Sequence, residues 1–189
     1  MRLRQAAGTF VALTIGCAVA FASTQSAAET FSATATVKTA SGATATSPIT
    51  IVIDRKLSQA EADRLTAAFK EGGAAGLRKA VGGGAAAGSV RLGSGEPTPA
   101  RVVVERATDK GRLLTIVTDK PILFLGAGVP GAKPKEGYDF AIVDLEVDGS
   151  GNGAGTLAPA AKVTVKQGAF VVDDYAQELI RLTGVKKVK

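Results

Sequence analysis

YDFAIVDLEVD, residues 138–148, is the stretch that decides the fold. Ala141, Val143, Leu145 and Val147 form one row, and Phe140, Ile142, Asp144, Glu146 and Asp148 form the other. Successive side chains of a strand point to opposite faces, so this period of two predicts a β-strand with one apolar face and one that turns acidic. The same period continues outward. Residues 89–92, 101–105, 113–118 and 122–125 precede it as strands, and 157–165 and 169–172 follow. Asp109-Lys110-Gly111 supplies a tight turn between the second and third of these. Nearer the start, Ala33, Ala35 and Val37 alternate with Thr34, Thr36 and Lys38. Ser41-Gly42 then turns the chain, and Ile49, Ile51 and Ile53 return in alternation. A disordered Ala/Thr linker before Pro48 is the alternative for the first of these two strands. Residues 174–183 read as helix or strand. The long meander before them favours a closing strand.

One helix interrupts the pattern. Ser58-Gln59-Ala60-Glu61 is a capping box, in which the hydroxyl satisfies a first-turn N–H and the carboxylate reaches back to the cap. Ala62, Leu65 and Phe69 fall on one face, and Gly72-Gly73 stops the run. Residues 74–81 form a second short helix, and Gly82-Gly83-Gly84 opens a flexible Gly/Ala connector over 82–88. The fold class is therefore α+β: predominantly an antiparallel β-sheet or open barrel of meander type, with one or two short helices inserted near the mature N-terminus.

Residues 1–28 read as a cleaved secretory signal peptide. Arg2 and Arg4 precede an uncharged run over 6–22, and small residues follow. Cleavage fits after Ala28, or after Ala22. An uncleaved anchor is the rival, but the run is short for a bilayer, which needs about 20 residues. Cys17 fits an ordinary leader, because the apolar run continues past it where a lipidated Cys would meet a polar tether. Residues 29–189 then form a single domain in the periplasm or outside the cell. Its balance is 21 basic against 17 acidic residues, a net +4. The abundance of Ala and Gly is that of a GC-rich bacterial genome.

Composition excludes much chemistry. The whole chain has no His and no Trp, and its one Cys and one Met lie in the leader. Imidazole-based triads, thiol chemistry and the usual zinc, copper and haem ligands are therefore missing. Carboxylate, Lys or Tyr chemistry and hard-cation binding through oxygen remain.

Gly126-Ala127-Gly128-Val129-Pro130-Gly131 matches a dinucleotide-loop spacing. Pro130 and Pro134 forbid the helix whose N-terminus would hold the pyrophosphate, so it reads as a glycine-rich loop. Leu125, Val129 and Pro130 in that uncharged loop are the candidate contact residues for a small apolar ligand or an envelope component, at the interior or mouth of the sheet. Asp148, Ser150 and Asn152 resemble the first half of a Ca2+ loop, but Pro159 stands where the bidentate Glu belongs; a solvated hairpin loop is the plainer reading. Asp144 and Glu146 have the spacing of a carboxylate pair, though with no aromatic platform beside them. Lys186, Lys187 and Lys189, with Lys133 and Lys135, suit anionic lipid or envelope polymers. No aromatics interleave with them, so nucleic acid is not expected. The sequence thus predicts an exported, non-enzymatic binding or structural envelope domain. The alternatives are a domain stabilised by calcium at 148–153 and a carboxylate hydrolase.

Overall fold

The computed structural model describes residues 28–38, 42, 44–122, 136–166, 169–175 and 179–188. Residues 1–27 of the proposed leader lie outside them. In chain order the elements are β1 (Glu29–Lys38), β2 (Thr44–Ile53), α1 (Gln59–Gly82), β3 (Gly88–Leu92), β4 (Thr98–Thr108), β5 (Gly111–Thr118), β6 (Phe140–Val147), β7 (Asn152–Lys166), β8 (Ala169–Tyr175) and β9 (Ile180–Lys187). All pairings are antiparallel, in the order β6-β5-β4-β3-β2-β1-β9-β7-β8. A further pairing of β6 with β7 closes the ring. The expected meander is therefore a closed barrel of eight staves, and the ambiguous C-terminal stretch supplies the last of them as β9.

β8 does not add a ninth stave. Leu157 of β7 pairs with Val143 on one edge and Ile180 on the other, while Ala161 pairs with Phe140 and Tyr175. β8 and β9 thus occupy the same edge of β7 in succession. Together they form the return leg of one long hairpin, whose tip rises past the start of β6. Pro159 sits at a register shift between β6 and β7, where its missing N–H costs the ladder nothing.

Alternation decides what fills the barrel. Phe31, Ile51, Leu114, Ile116, Leu145, Leu157 and Leu182 point inward and are fully buried. Each such side chain contributes about 1.5–3 kcal/mol relative to exposure. Ala33, Ala35, Ala100 and Ala141 take further interior positions, beside Val103, Val143 and Val147. This interior is occupied by its own side chains.

α1 is inserted between the paired strands β2 and β3 and folds back on the outer wall. Ser58 caps it as expected: its Oγ accepts from Glu61 N–H at 3.3 Å, and Glu61 Oε2 accepts from Ser58 N–H at 3.0 Å. Gly73, at φ 56° and ψ −146°, breaks the helix into two short halves. A Cβ on Gly76 would lie 2.3 Å from the carbonyl oxygen of Ala68, so the halves pack backbone to backbone there. Leu65, Leu77 and Val81 cover Val102, Phe140, Ile142, Ala158 and Ala161. This explains the second row of the deciding strand, which starts with Phe140 and Ile142 because a helix lies over them. Arg78 ties the second half down through Asp139 at 2.7 Å. The 82–88 connector leads into β3. Its Ala87 donates to Ala100 O and accepts from the amides of Asp54 and Arg55.

One end of the barrel is closed by charge. Inward positions near the ends of β1, β4, β5 and β9 carry Glu29, Glu105, Arg112 and Lys187, and with Lys56 they form one chain of ion pairs. The Arg112 hydrogen bond holds the Glu29 carboxyl down to about 2 against the opposing effect of burial, with Lys187 adding to it. Burial raises the Glu105 carboxyl, but Lys56 and Arg112 outweigh it and its pKa is lowered.

Candidate functional site

Two hollows formed by the described residues lie on the outside of the barrel. The register of β4, β5 and β6 sets three outward rows side by side. Val102, Val117 and Ile142 form the first; Val104, Thr115 and Asp144 the second; Arg106, Leu113 and Glu146 the third. α1 covers the first row and stops. The result is an open groove of about 500 Å³, floored by β4–β6, walled by Leu65, Leu77 and Val81 of α1, and flanked by Val172 of β8. Val104, in the middle row, is 43% exposed.

The polar groups of the groove are few. Thr115 Oγ1 donates to Asp144 Oδ1 at 2.6 Å, so the carboxylate is already engaged. Arg106 lines the open end and forms no ion pair among the described residues. The arrangement can hold an apolar body with one charged end.

A second hollow of about 690 Å³ lies in the crook of the two half-helices, near Arg55, Glu61, Arg64, Lys79 and Arg101. Its two best-placed cations are already committed. Arg55 bonds to Glu61 at 2.7 Å and reaches Ala85 O at 3.3 Å. Arg101 bonds to Asp119 at 2.9 Å and Gly84 O at 2.7 Å. They fasten the ends of α1 to the barrel.

Leu125, Val129 and Pro130 lie outside the described residues. Their neighbour Ile122 is buried against the barrel core and donates to Pro159 O at 2.9 Å. Asp148, Ser150 and Asn152 do come together, in the loop from β6 to β7. Asp148 Oδ1 accepts from the amides of Ser150 at 2.8 Å and Asn152 at 2.9 Å, and so acts as the cap of the turn. Gly151 in that loop, at φ 81°, sits beneath the Lys187 side chain. Among the described residues no group of three or more carboxylates is placed to hold a metal ion. Asp144 faces the groove, and Glu146 stands exposed a row further on.

Apart from Asp144, the groove residues were missed from the sequence, although a signal existed. Val102-Val103-Val104 is an unbroken apolar run, and on a strand such a run places apolar side chains on both faces. Thr115 and Arg106 carried no signal, because their neighbours come from other strands. Comparison with family models, with curated proteins and with solved structures finds no match to this chain.

Proposed function

We propose that the protein is an exported, non-enzymatic binding domain whose outer groove takes the apolar tail of an amphiphile, with Arg106 receiving an anionic head group. The groove is the observation that carries this reading. It is an apolar slot of about 500 Å³ against a barrel whose own interior is full. Ligand sites are typically such concave apolar surfaces with a few placed polar groups. Thr115 holds one oxygen of the Asp144 carboxylate in a hydrogen bond. The N-terminal pattern supports export, and cleavage after Ala28 leaves Glu29, the first residue of β1, as the new terminus. Among the described residues no helix is long and apolar enough to cross a membrane.

The test is displacement of a fluorescent fatty acid from the purified chain. Val104→Trp, on the exposed middle row, fills the groove and should abolish binding while leaving the melting temperature close to wild type. Arg106→Gln should weaken a long-chain carboxylate about tenfold yet leave the matching alcohol unchanged, the size expected for one charged hydrogen bond. Binding that neither substitution alters would overturn the reading.

A further inference from the structure

The wall of the barrel opposite α1 has a distinct chemistry. Its outward residues are aligned across five strands by the register. One row runs Arg91, Thr50, Ser32, Lys186 and Asn152 from β3 through β2, β1 and β9 to β7. Another runs Thr46, Thr36, Arg181 and Thr156. Pro48, Thr34 and Thr183 lie between them. All of these side chains are exposed or half-buried, and nothing described packs over them. β2, β3, β7 and β9 contain no acidic residue, and the one in β1, Glu29, is buried in the charged end. None of these Thr and Ser hydroxyls bonds to another described side chain or backbone group.

Among the described residues no exposed carboxylate stands on these strands, while three cations and a lattice of free hydroxyls are left there. Adjacent strands are about 4.8 Å apart and alternate residues about 6.8 Å apart, so the polar groups recur on the scale of single sugar units. Arg91 and Lys186 stand three strands apart in one row, roughly 14 Å, which suits a polymer with repeated charges better than a single ion. We infer that this face binds an anionic polysaccharide laid across β3-β2-β1-β9-β7, its carboxylates or sulfates on Arg91, Arg181 and Lys186 and its hydroxyls on the Thr and Ser lattice. Charge complementarity selects the polymer's sign. The face has no aromatic ring, so neither bases nor sugar rings stack on it and recognition rests on its charges and hydroxyls. It also has little apolar surface for insertion into a bilayer.

The experiment uses the full chain on immobilised polygalacturonate, with neutral dextran, single-stranded DNA and phosphatidylglycerol vesicles as competitors. The double variant Arg91→Glu and Arg181→Glu should lose about tenfold or more in affinity, in line with a few exposed charge contacts. Thr34→Val with Thr36→Val removes hydroxyls without charge and should lose about threefold, the worth of weak surface hydrogen bonds. Arg64→Glu with Lys70→Glu on exposed α1 makes the same charge change away from the face and should lose nothing. An equal loss in the α1 variant would reduce the effect to net charge and overturn the inference. So would unchanged binding in the double variant, or tighter competition by DNA or vesicles than by the polysaccharide itself.

Discussion

Arg112 of β5 and Glu29 of β1 meet across the mouth of the barrel, Nη2 donating to Oε1 at 2.7 Å and Nη1 to Oε2 at 3.0 Å. They are 83 residues apart in sequence. Both occupy the final inward position of their strands, and the guanidinium carbon lies 6.0 Å from the ring centre of Phe31 beneath. A forked pair of this kind fixes the relative height of two opposite staves as well as their charge.

Glu29 makes stability pH-dependent, with a definite sign. Its carboxyl is held near 2 by Arg112, against 4.5 when unfolded. A lowered acid contributes stability that is complete above the unfolded value and lost as pH falls through the folded one. The contribution at pH 7 is at most about 3 kcal/mol. Urea denaturation of wild type should show this loss between pH 4.5 and 2. Glu29→Gln should be less stable at pH 7 and should lose clearly less than wild type over the same interval, in which Glu61 and Glu105 still contribute.

Gly76 and Gly72 make an internal control for the helix break. A Cβ at Gly76 would strike the Ala68 carbonyl, whereas one at Gly72 meets nothing within 4 Å. Gly76→Ala should cost about 1–3 kcal/mol through forced backbone movement. Gly72→Ala should be neutral or stabilise by up to about 1 kcal/mol. Thermal melts of the two variants check the contrast, and only Gly76→Ala should also loosen ligand binding in the groove.

Ser58→Ala removes the hydroxyl half of the capping box and leaves the Glu61 carboxylate with the backbone N–H of residue 58 and with Arg55. The expected loss is about 1 kcal/mol. Its measurement is the shift in urea midpoint, and Ser58→Asp should recover most of it.

Thr118 is fully buried at the end of β5. Its Oγ1 donates to Lys120 O at 2.6 Å and accepts from Ala141 N–H at 2.9 Å. Thr118→Val keeps the shape and strands a buried amide and a carbonyl. The cost should be about 1–3 kcal/mol, with hydrogen exchange at Ala141 accelerated beyond that at its β6 neighbours.

Strands with one wet face were legible in the sequence because period two is a local signal. Ala141, Val143, Leu145 and Val147 point inward as their spacing implies, and Ser58 and Glu61 cap α1 because a capping box needs only four residues. Closure was not legible. It depends on β1 meeting β9, a pairing of residues such as Ser32 and Lys186 whose preference for each other leaves no trace in either segment. The groove was hidden for the same reason, since Val104, Thr115 and Asp144 become neighbours only through the register of three strands. Asp148 shows the opposite limit: an acidic loop that resembles half a cation site caps its own turn.

The pairing of the first strand with the last also sets the order of events in folding. Until β9 is in place, β1 and the first part of β7 each keep a bare edge, and bare edges invite pairing with other chains. The contact that removes both hazards spans nearly the whole described chain, from Phe31 to Lys187. Such distant contacts form slowly, because the entropy of the intervening loop is lost before they return anything. The molecule should therefore pass through an unclosed, association-prone stage, and its yield on refolding should fall with concentration more steeply than its final stability suggests.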